Sequence, residues 1–199
     1  MPQSRPYQPL LLRILHGLNA AIALLAILTS FWVYNTYDGR LIRLPLPKIS
    51  GIIGIHGTFG LTFFLFFPLF ALYSFHLGSQ RLIQPNSLGN AAKLDRKIGW
   101  YSWHRILNTL MLIAATLSIV TGRMMQEKWL PAEELDHIWY KLHVAGWVIL
   151  VISVILHVAM GLKVGGFPLI QSIFARSYRP DDSPRIWWHK FKIMLNRSQ

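Results

Sequence analysis

The sequence predicts an all-α integral membrane protein: a four-helix transmembrane bundle with both termini cytoplasmic, followed by an amphipathic C-terminal segment. Three observations lead there. Of the 199 residues, 53% are hydrophobic and only 14% charged, against roughly 25% charged in soluble globular domains. Four stretches, residues 14–37, 49–80, 106–122 and 142–162, contain no Asp, Glu, Lys or Arg, and about 20 apolar residues suffice to cross a hydrocarbon core of about 30 Å. None of these stretches shows a long strand-like alternation, so helices are left to satisfy the backbone hydrogen bonds in lipid. An ordinary water-soluble enzyme is excluded.

The first helix covers residues 10–35. Its apolar run is too long for a signal-peptide core and no small-residue cleavage site follows, so it reads as a retained span. The second covers residues 48–77, with Pro68 expected to kink it by removing a backbone donor. Residues 79–97 carry charges, Asn and Gly and read as a cytoplasmic loop. The third helix covers 100–125 and the fourth 136–164, so residues 1–164 form one domain. In the tail, residues 165–199, Phe167, Ile170, Ile173, Phe174, Trp187, Trp188, Phe191, Met194 and Leu195 are interspersed with basic residues. That is the pattern of a helix lying on a membrane surface.

The formal net charge of +12 would suggest nucleic acid in a soluble protein. Here its distribution follows the membrane instead. Thirteen Lys and Arg lie in the N-terminal arm, the second loop and the tail, and six lie in the other two loops, with Arg105 at a helix edge. The bias places both termini in the cytoplasm and makes membrane lipid, not nucleic acid, the partner. Trp32, Tyr34, Tyr37, Trp100, Tyr101, Trp103, Trp129, Trp139 and Tyr140 fall mostly at helix ends, where interfacial belts form. The chain has no cysteine, which excludes thiolate haem ligation, iron–sulfur clusters, covalent haem attachment and disulfides.

Four of the eight histidines lie inside spans. His143 and His157 share the fourth helix, and fourteen residues leave their rings within about 40° of one face and roughly 21 Å apart along the axis. On the antiparallel path, His56 of the second helix comes level with His143 near the outer side. His16 of the first comes level with His157 near the cytoplasmic side. A single intramembrane histidine is commonly a hydrogen-bonded packing residue. Four at two matched depths need a common explanation, because each is costly in hydrocarbon without a partner. Neutral imidazoles from facing helices suit axial ligation of iron, and a haem can be clamped in a bundle core. The pattern implies two bis-histidine haems b, one held by His16 and His157 and one by His56 and His143. Gly17, Gly54, Gly57, Gly60, Gly146 and Gly161 beside these positions leave room for a macrocycle, although small residues also favour direct helix contact.

His104, at the cytoplasmic start of the third helix, has two readings: hydrogen bonding to a haem propionate or a quinone, or ligation in place of His16. Arg13, Arg105 and Lys163 at the cytoplasmic edge, and Arg123 and Lys141 at the outer edge, are candidates to pair with propionates. Snorkelling to headgroups is the competing explanation. His76 faces away from His56, and His137 and His189 belong to the polar surface.

Arg13-Ile-Leu-His16, Ile55-His56, Trp103-His104 and the His143/His157 pair resemble the prokaryotic cytochrome b561 family, which includes bacterial superoxide oxidase and the b-type subunits of membrane hydrogenases and formate dehydrogenases. The similarity runs from about Tyr7 to Lys163. The resemblance implies axial ligation by His16, His56, His143 and His157, and electron exchange between the haems and a quinone. It also implies a donor that is superoxide in one branch and a bound dehydrogenase subunit in the other. The host membrane is then the bacterial inner membrane or a thylakoid. The long second loop and the Trp-rich tail depart from the family pattern and leave the donor open. A non-redox membrane anchor or assembly subunit is the alternative.

Overall fold

The computed structural model describes residues 9–76, 78–175, 183, 186, 188, 192 and 193. Five α-helices form in this part of the chain: α1 (Leu10–Tyr37), α2 (Ile52–His76), the short α3 (Ser87–Ala91), α4 (Lys97–Met124) and α5 (Ile138–Phe174). No strand occurs among the described residues. α1, α2, α4 and α5 are each long and apolar enough to span a membrane. Large aliphatic side chains such as Leu28, Leu65, Leu72, Ile113 and Ile155 stand exposed on their outer faces, as they must where lipid rather than protein covers them.

α1 packs chiefly on α2 and α4 chiefly on α5, with sparser contact of α1 with α5 and of α2 with α4. The result is two helical hairpins facing each other across a gap. Within the α4–α5 interface, small residues allow close approach. A Cβ on Gly146 of α5 would lie 2.9 Å from the Ser118 hydroxyl of α4, and Ala114, Ala115, Ser102 and Ser153 are buried. The main apolar cluster, which includes Ile22, Phe63, Phe67, Leu112 and Leu150, joins all four spans near mid-bundle.

Three boundaries differ from the sequence expectation by three residues or more. α2 begins at Ile52 rather than residue 48, because Gly51 adopts a φ of 70° that is available to glycine and ends the preceding turn. α4 begins earlier, at Lys97, where Gly99 lets the Lys93 carbonyl come so close that a Cβ would overlap it. α5 does not end at residue 164: it turns at Gly166 (φ 65°, ψ −173°) and continues as helix to Phe174. Pro168 explains the restart, since its missing donor and fixed φ suit a first helical turn. Pro68 sits inside α2 without ending it. The loop of residues 79–97 is ordered by a 3₁₀ turn at Ser79–Arg81 and by α3, whose Ala91 carbonyl accepts from the Trp103 indole at 3.1 Å. Most of the tail beyond residue 175, including Trp187, Phe191, Met194 and Leu195, lies outside the described residues.

Candidate functional site: two histidine levels in the bundle

Histidines from α1, α2 and α5 meet at two levels of the bundle interior, with α5 supplying one ring to each. At the first level the rings of His16 on α1 and His157 on α5 have centres 6.2 Å apart and planes inclined by 31°. At the second, His56 on α2 and His143 on α5 have ring centres 6.1 Å apart and planes inclined by 66°. Both pairs join one hairpin to the other across the gap, and the two levels lie fourteen residues apart on α5, one near its start and one near its middle.

An imidazole nitrogen lies about 2.0–2.1 Å from a bound transition metal and about 1.1 Å from its own ring centre, so two rings flanking one ion have centres about 6.2–6.4 Å apart. The His16–His157 centres, at 6.2 Å, fall on that span, and the His56–His143 centres, at 6.1 Å, come within 0.1 Å of it. His104 does not fit it, for its ring stacks on His157 with centres 5.0 Å apart and planes at 30°, too close and too parallel for an ion between them. No cluster of three or more His, Cys, Asp or Glu that could hold a bare ion occurs among the described residues. Two imidazoles per level suit an ion whose remaining ligands come from a macrocycle.

Space for a macrocycle is present at the second level. A cavity of about 900 Å³, lined by His56, His143, Gly57, Gly122, Trp147 and Arg123 among others, lies between the hairpins. A Cβ on Gly54, Gly57 or Gly60 would meet nothing within 4 Å, whereas one on Gly122 would lie 3.0 Å from the His143 ring. At the first level, Gly17 and Gly161 likewise face open space.

Hydrogen bonds at the second level fix which ring nitrogen is free. The Thr29 hydroxyl is 2.7 Å from the Leu25 carbonyl and 3.2 Å from His56 Nδ1. A carbonyl can only accept, so the single hydroxyl hydrogen goes there and the hydroxyl oxygen accepts from Nδ1–H. The same arrangement recurs one helix pair over, where the Thr121 hydroxyl donates to the Leu117 carbonyl at 2.7 Å and faces His143 Nδ1 at 3.1 Å. In both rings the Nε2 lone pair is left for a ligand, as a partner on the other ring nitrogen does for metal-binding histidines in general. His157 Nδ1 lies 2.8 Å from Asn108 Oδ1. Thr29, Thr121 and Asn108 were not singled out from sequence. Their only signal there is a polar side chain inside a span, and threonines that bond their own helix backbone are ordinary in such segments.

The cationic candidates are dispersed. Arg13 is buried, with Nη1 donating to the Ala175 carbonyl, so it ties the start of α1 to the end of α5. Arg105 is half-buried on α4. Lys163 lies over the Trp100 ring at 5.2 Å and Lys141 pairs with Asp136 at 2.9 Å, while Arg123 lines the cavity. Arg81, which sequence reasoning used only in the charge count, accepts at its backbone carbonyl from the Asn108 amide at 2.9 Å. His76 is exposed, and His137 stacks on Trp129 with ring centres 3.9 Å apart. His189 lies outside the described residues.

The sequence profile of a family described as prokaryotic cytochrome b561 matches residues 7–175. The chain belongs to that family. Comparison with curated proteins and with solved structures gives no match. Membership makes this chain a multi-pass bacterial membrane cytochrome of the b type, a haem-binding electron carrier. When bound, haem supplies one-electron chemistry at iron. The chain supplies ligation, polarity and access.

Proposed function

We propose that the protein binds two haems b and conducts electrons across the bilayer, one haem held by His56 and His143 and the other by His16 and His157. The observation that carries this reading is the pair of inter-hairpin imidazole spacings, 6.1 and 6.2 Å. Two further features support it: the Thr29 and Thr121 contacts that leave Nε2 free, and the open glycine faces beside each pair. His104, stacked on His157, then serves as a hydrogen-bonding neighbour of the haem edge or of a quinone rather than as a ligand. Arg13 and Arg105 lie on the same side and shape the charge there.

On this reading the positive-inside bias puts the His16–His157 haem at the cytoplasmic side and the His56–His143 haem at the outer side. Electrons pass between the outer and the cytoplasmic haem and are exchanged with a quinone at one of them. Superoxide is one donor, giving up one electron to become dioxygen. Arg123 in the wall of the outer cavity supports an anionic donor, since a cation beside a concave site raises the local concentration of anions. A docked dehydrogenase subunit is the other donor.

The deciding experiment is a pyridine haemochrome assay on purified protein with haem counted per chain. Two haems per wild-type chain, and one in His157→Ala and in His56→Ala, is the expected result. A wild-type reduced-minus-oxidised spectrum without b-type bands would instead indicate a non-redox anchor subunit. Quinone reduction by superoxide with purified protein, against co-purification with a dehydrogenase, separates the two donors.

A further inference from the structure

Asn108 occupies a position in the bundle that neither threonine partner shares. Its Oδ1 lies 2.8 Å from His157 Nδ1, and its Nδ2 donates to the Arg81 carbonyl at 2.9 Å. That second bond fixes the amide: a backbone carbonyl only accepts, so nitrogen must face Arg81 and oxygen must face the ring. An amide oxygen in turn can only accept, so Nδ1 of His157 carries the hydrogen and Nε2 is bare.

The neighbouring residue strengthens the link to the loop. Thr109 Oγ1 accepts from the Ile83 backbone at 2.9 Å, and Leu82, between the two clipped residues, is buried in the main apolar cluster. The Ser79–Arg81 turn is thus held on α4 by Asn108 on one side and Thr109 on the other. Arg81 belongs to that turn, and its carbonyl is the group that Asn108 holds. At the His56–His143 level Thr29 and Thr121 hand their hydrogens to their own helices. Among the described residues, a hydrogen-bond chain from a ring nitrogen to a loop outside the bundle runs at the His16–His157 level.

We propose that Asn108 is the positioning residue of the His16–His157 haem: it sets the His157 tautomer and ligand strength, and it couples that haem to the Ser79–Arg81 turn. The inference rests on the ligand assignment proposed above. A hydrogen-bond acceptor on the far nitrogen makes an imidazole a stronger donor to iron and favours the ferric state, one of the main levers on a haem potential.

The test is spectropotentiometry on the purified full-length haem protein, with haem counted per chain. Asn108→Leu removes the acceptor within a similar volume and is expected to keep both haems while raising the midpoint of one and leaving the other unchanged. Asn108→Asp keeps an acceptor, and a stronger one, but cannot donate to the Arg81 carbonyl; the same midpoint is expected to fall. Opposite shifts from the two variants, confined to one haem, are not what a merely structural residue produces. His157→Ala identifies the responding haem by its loss. Wild-type midpoints in both Asn108 variants, or equal shifts of both haems, with His157→Ala one haem short, would overturn the inference alone. Retention of both haems by His157→Ala would overturn the ligand assignment and the inference with it.

Discussion

At Gly122 a single missing carbon decides whether the His143 ring keeps its place. A Cβ there would stand 3.0 Å from the His143 ring carbon Cε1, closer than carbons pack without strain. Gly122→Val, with two more methyls, is expected to tilt the ring out of line with His56 and lower the haem content, read as haem per chain. Gly57 offers the complementary case, because its Cβ would enter open space. Gly57→Leu is expected to leave expression and helix content unchanged and still reduce haem content, since the added side chain competes with the macrocycle for the cavity. Normal haem content in Gly57→Leu would show that the macrocycle lies elsewhere. The histidines were legible in the sequence because charge-free runs mark the spans and a spacing of fourteen residues is close to a whole number of turns. Thr29, Thr121 and Asn108 were not, because each acts on a ring carried by a different helix, and the rotation of one helix against another is set by packing that a single sequence does not print. Arg81 was hidden for a related reason: a loop that folds back onto a span looks like any polar connection until Leu82 is seen buried.

At the scale of the helices, two joints carry specific chemistry. One lies at the end of α1, where Asp38 is buried and accepts from the Tyr140 hydroxyl of α5 at 2.5 Å and from Arg40 Nε at 2.5 Å. Burial pushes the Asp38 carboxyl up, but the hydrogen bonds from Arg40 and Tyr140 outweigh it and hold the group below its ordinary value. A carboxyl lowered in the folded state stabilises fully above its unfolded value, about 3.9, and loses that contribution as pH falls through the lower folded value. The thermal midpoint in detergent is therefore expected to keep this contribution down to about pH 4 and to lose it below. Asp38→Ala should cost about 1–3 kcal/mol, the range for stranding a buried hydrogen-bond partner, and should remove that acid-dependent part. An Asp38→Ala protein whose midpoint matches wild type at neutral pH would show that the clamp contributes nothing. The second joint is Gly166, whose φ of 65° and ψ of −173° fall in a region essentially restricted to glycine, at a cost of about 1–3 kcal/mol for other residues. Gly166→Ala should lower the midpoint correspondingly or force α5 to run straight. Neither joint was anticipated: the Gly-Gly-Phe-Pro run of residues 165–168 reads as the end of a helix, and only the restart to Phe174 reveals it as a bend.

At the scale of the whole molecule, the division into two hairpins and the division into two histidine levels cross each other. Each imidazole pair takes one ring from the α1–α2 hairpin and one from α5, so each bound haem would act as a pin between the halves, and apoprotein is expected to be less stable than holoprotein by mass action. The levels are also separated along α5 by fourteen residues, roughly 21 Å, in a hydrocarbon core of about 30 Å. One redox centre at either level lies near one face and far from the other, so conduction across the bilayer requires both. Protein reconstituted into vesicles with an impermeant reductant outside and an impermeant acceptor trapped inside tests this without knowledge of the natural donor, and in either orientation of insertion. Wild type is expected to reduce the trapped acceptor, and both His157→Ala and His56→Ala to fall to the rate of empty vesicles while their remaining haem is still reduced by dithionite. Undiminished transfer by either variant would mean that electrons do not pass through stacked haems at these two levels, and the four histidines would then need an explanation in helix packing alone.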